Sequence, residues 1–225
     1  MLVKYWMSKN VITIDADRPI KDAIKLLEKH DIHILPVVNH GALVGIVTKQ
    51  DIKRATLAAA STVSRNEMAV AFDDINVQSL MQENVISVQR NLSIEETAEI
   101  LLENNISGAP VVDMDGELEG VITKSDIFKV LISLTGLKRR GIQFALKLED
   151  RVGSVAEISD TIRKYGGRMA CLLTSYERVP EGYRRVYIRM YDIDRFKLES
   201  LKDEIKQKAD LLYLIDRKES LREIF

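Results

Sequence analysis

Thr48-Lys49-Gln50-Asp51 and Thr123-Lys124-Ser125-Asp126 are the residues whose types and spacing offer chemistry. Each quartet holds a hydroxyl, a cation and a carboxylate. A hydroxyl at a helix start can bond a phosphate, because the free N–H groups there attract anions. A carboxylate three residues on can accept from both hydroxyls of a ribose, as the acid of dinucleotide folds does. A lysine in the first helical turn opposes the helix dipole, at a cost of about 0.3–1 kcal/mol. Its repetition points to an anion nearby. The same spacing has a purely structural use: Thr is a good N-cap, and an acid in the first turn suits the positive helix end. The lysines can equally be solvated, with their stems along apolar surface. On these residues alone both readings stand.

Each quartet sits between a strand and a helix. Leu43 to Val47 is an aliphatic run, and Asp51 falls in the first turn after it. The strand returns from Ile34-Leu35-Pro36-Val37-Val38 through the turn Asn39-His40-Gly41. Upstream, Val11-Ile12-Thr13-Ile14 reads as a short strand. Asp17 can cap the next helix, with Pro19 in its first turn. Ile20, Ala23, Ile24 and Leu27 give that helix one apolar face.

The whole half-domain repeats. Val85, Ile94 and Pro110 each follow Val11, Ile20 and Pro36 by 74 positions, and Gly120 and Asp126 follow Gly45 and Asp51 by 75. The added residue falls in the turn Asp113-Met114-Asp115-Gly116. An insertion at a hairpin tip, where it is best tolerated, supports the strand assignments. Between the copies, Leu57-Ala58-Ala59-Ala60 prolongs a helix, Ser61 to Ser64 breaks it, and Ser64 with Glu67 can cap another.

After Leu137-Lys138-Arg139-Arg140-Gly141 the pattern changes. Gln143 to Leu148, Met169 to Tyr176, Arg184 to Met190 and Leu211 to Ile215 read as strands. Val155, Ile158 and Ile162 mark one helix, and Phe196, Leu198, Leu201 and Ile205 a second. The order βαββαβ is the ferredoxin-like split arrangement. The expected divisions are residues 1–60 and 79–136 for the two copies, 61–78 for a partly helical connector, and 141–217 for the last domain.

Composition sets the class. The 225 residues are 46% hydrophobic and 30% charged, with a net charge of −1. That suits a soluble globular chain and gives no basic field for nucleic acid. No run approaches the roughly 18 apolar residues of a membrane span, and the first residues lack a signal-peptide core. One cysteine, Cys171, excludes an internal disulfide. A cytoplasmic protein is the simplest reading.

Other constellations carry little. His30 and His33 splay at a helix-to-strand junction, and only His40 is left to help them hold a metal. Cys171 reads as a small buried residue on a strand. No nucleophile elbow is present. Lys138-Arg139-Arg140 is too short for a nucleic-acid tract and reads as a solvated joint.

The two copies resemble CBS motifs, and together a CBS pair or Bateman module, on the strands and Gly-x-x-Thr-Lys-x-Asp runs quoted above. Asp150-Arg151-Val152-Gly153 resembles the acidic, glycine-ended loop of ACT domains, with Val152 where a proline is usual. A CBS pair followed by an ACT domain is similar to AcuB-type acetoin-utilisation proteins. The resemblance implies an α/β chain with a pseudo-two-fold CBS pair and a C-terminal ACT domain. It implies a regulatory protein rather than an enzyme, with no catalytic residue, no metal and no required cofactor. AMP, ADP, ATP or S-adenosylmethionine would bind between the motifs. Asp51 and Asp126 would hold ribose hydroxyls. Thr48, Thr123 and Ser125 would contact ribose or phosphate, beside Lys49 and Lys124. Thr13 and Ser87, with backbone near His33, Ile34 and Pro36 and near Ser107, Ala109 and Pro110, would line the base pocket. Asp150, Val152 and Gly153 would meet an amino acid. A homodimer acting on an unidentified protein is the implied assembly. The rival reading is a ligand-free dimerisation scaffold, or protein-interaction module, in which both Thr-x-x-Asp pairs are only caps.

Overall fold

The computed structural model describes residues 1–60 and 75–225; side chains are described except at residues 58–60. The chain divides into two compact units, Met1–Phe128 and Lys129–Phe225. The expected break at Ser61 to Ser64 and the Ser64–Glu67 cap lie outside the described residues.

The first unit holds two three-stranded sheets of one design. In the first, β1 (Ile14–Asp15) runs parallel to β2 (Ile34–Asn39), which pairs antiparallel with β3 (Ala42–Thr48). Helix α1 (Ile20–Lys29) joins β1 to β2, and α2 (Lys49–Ala60) follows β3. In the second, β4 (Val88–Gln89), β5 (Gly108–Val112) and β6 (Leu118–Thr123) repeat the order, with α3 (Ile94–Glu103) and α4 (Lys124–Leu134). Ile20, Ala23 and Leu27 are buried on α1, and Ile94, Thr97 and Leu101 on α3. β2 packs beside β5.

Two local expectations are corrected. The first strand of each copy is two residues long and begins later than expected, at Ile14 and Val88. Ile14 pairs with Val37 and Val88 with Val111, so each parallel ladder stops one residue short of Pro36 or Pro110. A proline offers no amide to extend it. The N-cap of α1 is Pro19, not Asp17, and it makes no side-chain cap bond. Its counterpart Ser93 forms a full capping box with Glu96.

The copies exchange their leading segments. Gln78 and Val77 donate to the Ala16 and Arg18 carbonyls, while Lys4 and Val3 donate to those of Arg90 and Leu92. Gln82 trades two backbone bonds with Ile46, and Ser8 trades two with Val121. Val77 thereby enters the core of the first copy, beside Leu27, Leu35 and Val47. Val3 is equally buried.

In the second unit the sheet order is β11-β10-β7-β9-β8, all antiparallel. The strands are β7 (Ile142–Glu149), β8 (Arg168–Ser175), β9 (Tyr183–Tyr191), β10 (Asp210–Asp216) and β11 (Leu221–Ile224). Helices α5 (Ser154–Lys164) and α6 (Leu198–Lys206) complete the expected βαββαβ order. Phe144, Leu146, Ile158, Ile162, Ile188 and Leu201 lie at the centre of its core. Phe196 does not join them. It lies in a short 3-10 turn before α6 and is 99% exposed, contrary to its expected place in that helix. Strand β11, which extends the sheet beyond residue 217, was not expected.

Candidate functional site

Both Thr–Asp pairs form at a strand-to-helix junction, and they form the same way. The Thr48 N–H and hydroxyl donate to Asp51 Oδ2 at 2.9 and 2.6 Å, and the Asp51 N–H donates back to Thr48 Oγ1 at 3.2 Å. In the second copy the distances are 3.0, 2.7 and 3.3 Å. These are reciprocal caps, so the structural use of the spacing is realised twice. The carboxylates are nonetheless buried, at 8% exposure for Asp51 and 6% for Asp126. In each, one oxygen is held by the cap.

In the first copy a further side chain meets that carboxylate. Gln82 Nε2 donates to both oxygens of Asp51, at 2.9 and 3.0 Å. Sequence reasoning missed Gln82. Its counterpart by repeat position is Ser8, so comparing the copies offers no signal for it. A protein anion already stands near the first-copy lysine. Lys49 Nζ lies 3.3 Å from Asp31, whose side chain is 94% exposed. The counterpart of Asp31 is the uncharged Asn105.

The strand ladders gather the remaining candidates. His33 and Ser107 are exposed, and their carbonyls accept from the Lys49 and Lys124 amides at 3.1 and 2.9 Å. Ile34 pairs with Thr48, and Pro36 with Ile46. Gly108 pairs with Thr123, Ala109 with Ile122 and Pro110 with Val121. Thr13 and Ser87 immediately precede β1 and β4, one register step before the Ile14–Val37 and Val88–Val111 pairs. A cavity of about 470 Å³ beside α1 is lined by Thr13, Asp15, Arg18 and Asp22. No other candidate nucleotide contact lines it. Ser125 is exposed on the first turn of α4. Across the pair, Ile34 approaches Gly108 so closely that a Cβ there would lie 2.8 Å from its Cδ1 and 2.6 Å from the Ile122 carbonyl oxygen.

In the second unit, Asp150 faces Arg184 at 3.4 Å. Arg184 also donates to Ser154 at 3.0 Å. Val152 is fully exposed, and Gly153 begins α5 with a φ of 88°. Arg151 is held by both oxygens of Glu157 at 2.7 Å. The acid of this loop therefore already has a cation. Cys171 is half-buried on β8, and burial pushes its thiol up.

Comparisons with known proteins agree on the first unit. The CBS domain model matches twice, over residues 3–58 and 77–133. A CBS domain-containing protein of Dictyostelium discoideum is 34% identical over 135 residues, covering 60% of this chain and 93% of that one. L-aspartate semialdehyde sulfurtransferase of Methanocaldococcus jannaschii is 35% identical over 130 residues, 57% of this chain but only 23% of that enzyme. The crystal structure of a Vibrio cholerae protein assigned to acetoin utilization (AcuB) is similar at a TM-score of 0.51 and 28% identity. It covers 61% of this chain and 95% of that one. The repeated junctions, the paired sheets and the double match together place this chain in the CBS-domain family.

Proposed function

We propose that this chain is a regulatory protein that senses an adenosyl ligand, AMP, ADP, ATP or S-adenosylmethionine, in the clefts of its CBS pair. The observation that carries the reading is the twice-built junction in which a buried carboxylate stands at a helix N-terminus. Such a group suits a ribose diol, and the helix end beside it suits a phosphate. Asp51 and Asp126 hold ribose hydroxyls. Thr48, Thr123 and Ser125 meet ribose or phosphate, with Lys49 and Lys124 adjacent. Thr13 and Ser87 line the base pocket with the backbone of His33, Ile34 and Pro36 and of Ser107, Ala109 and Pro110. No residue is assigned a catalytic role, although the sulfurtransferase relative is an enzyme.

The finer assignments rest on lesser support. The strand order β10-β7-β9-β8 supports a ferredoxin-like, ACT-type second unit, with Asp150, Val152 and Gly153 as its amino-acid contacts. The Vibrio cholerae neighbour supports a link to acetoin utilisation. A cytoplasmic homodimer acting on a separate protein completes the reading, divided at residues 1–60, 61–78, 79–136 and 141–217. Among the described residues, no helix is long and apolar enough to cross a membrane.

One observation favours the scaffold reading instead. Asp51 is already engaged by Thr48 and Gln82, as a cap needs no ligand. Binding isotherms of AMP and S-adenosylmethionine to Asp51→Ala, Asp126→Ala and the double variant separate the two. The sensor reading expects weakened binding in folded protein. Unchanged affinity in all three variants would sink the site assignment.

A further inference from the structure

Lys138, Arg139 and Arg140 are only part of a larger basic group. The fold brings Arg168 from the start of β8, Arg195 from the turn before α6, and Arg217 and Lys218 from the end of β10 to the same end of the second unit. Two concavities result. One, of about 620 Å³, is lined by Arg139, Arg140, Arg168, Tyr191, Arg195 and Lys218 among others. The other, of about 600 Å³, is lined by Leu137, Lys138, Arg140, Arg217 and Lys218. Arg140 and Lys218 belong to both.

Little within the protein offsets this charge. Asp192 is the lining carboxylate, and it faces Arg168 at 3.6 Å. Arg195 is held by Asp216 and Glu219. The other five cations form no ion pair among the described residues. Nearby, Arg189 is 4% exposed and bonds only neutral acceptors, the Thr135 carbonyl and Gln143. Its Nη1 has no hydrogen-bond partner. Burial, and then the charge of Arg217, holds its pKa down. Among the described residues, much of the positive charge here is left unpaired.

Two of the arginines and the backbone at Arg140 are also held in place. The Arg139 and Arg168 guanidiniums stand over the Tyr191 ring at 5.3 and 5.2 Å. Arg140 and Asp192 have φ values of 48° and 60°, left-handed conformations that non-glycine residues seldom adopt. Between Arg140 and β7, Gly141 passes so close to the Met190 carbonyl that a Cβ would collide with it. Strained backbone of this kind persists where the surroundings fix it.

We infer that this end of the second unit binds a small oligophosphate anion, a run of two or more linked phosphate groups, across Arg140 and Lys218. Guanidinium forks match phosphate oxygens in pairs, and the concavities have the size of small-molecule sites. The cations converge on these hollows instead of tracking along a groove, which suits a compact anion better than a long polyanion. The inference does not rest on the CBS clefts.

The test is calorimetric titration of the full chain with inorganic tripolyphosphate. Saturable binding is expected, weakening as salt rises from about 0.05 M to about 0.5 M. Arg140→Asn with Lys218→Gln should weaken it by about tenfold or more. Asn is chosen because it tolerates the left-handed backbone. If melting shows that pair misfolded, Lys138→Gln with Arg217→Gln is judged by the same criterion. No saturable binding, or binding unchanged by loss of the basic side chains, overturns the inference. So does tighter binding of a single-stranded oligonucleotide, which would assign the patch to nucleic acid.

Discussion

Asp51 and Asp126 each do a structural task before any ligand arrives. Their spacing from Thr48 and Thr123 admits two uses of the junction, and the cap is formed in each copy. Removing either carboxylate should therefore cost about 1 kcal/mol of stability even in a ligand-sensing protein. A stability loss alone does not decide for the scaffold. What the sequence left hidden is Gln82, because its contact with Asp51 is made by folding across 31 positions. If Asp51 holds a ribose, the Gln82 amide competes with the diol for the same oxygens. Gln82→Ala in an Asp126→Ala background should then tighten AMP binding by about a few-fold, as expected for one hydrogen bond. Weaker binding would show that Gln82 contributes to the site. Lys49 too has a protein anion beside it, Asp31, displayed on a tight left-handed turn that spacing does not reveal.

At the scale of elements, the periodic segments were legible and their ends were not. Ile20, Ala23 and Leu27 announced α1, and the alternation of Phe144, Leu146 and Leu148 announced β7. The first strands of both copies were read too long because a β-branched run does not say where a partner's proline ends the ladder. β11 is not legible because Leu221–Ile224 is mostly exposed and half charged, so its pattern marks no buried face. The caps differ between the copies, and this is testable. Ser93→Ala should cost about 1 kcal/mol in chemical denaturation, whereas Asp17→Ala should cost little, since Pro19 occupies that cap position. Glu204 ties α5 to α6. It accepts from Lys164 at 2.7 Å, Lys208 at 3.0 Å and Tyr165 at 3.0 Å, and these bonds, that of Lys164 first, lower its pKa from the ordinary 4.5 to about 2. A lowered folded-state pKa means the stabilisation is complete above the ordinary carboxylate range and is lost as pH falls through the folded value. Glu204→Gln should lower the melting temperature at neutral pH. The gap to wild type should close as pH falls from about 4.5 to about 2.

At the scale of the whole molecule, the duplication was plain in the sequence but the exchange of leading segments was not. Val3 and Val77 each sit in a half-domain that sequence order does not give them. Residues 1–8 therefore cover the second copy, and deleting them should destabilise it, exposing Val121 and the face that buries Val3. Hydrogen exchange would show this as loss of protection at β6. Protection lost only at β3 would contradict the exchange. The second unit's basic end could not be read from Lys138-Arg139-Arg140 alone, because Arg168, Arg195, Arg217 and Lys218 join it only through the sheet. The central claim remains the adenosyl ligand. Its most direct measurement is a calorimetric titration of ligand-free protein with AMP, ADP, ATP and S-adenosylmethionine in turn. A sensing CBS pair gives saturable binding of at least one, lost in the Asp51→Ala, Asp126→Ala double variant. Folded protein that gives no heat with any of the four would contradict it and leave the CBS pair a scaffold.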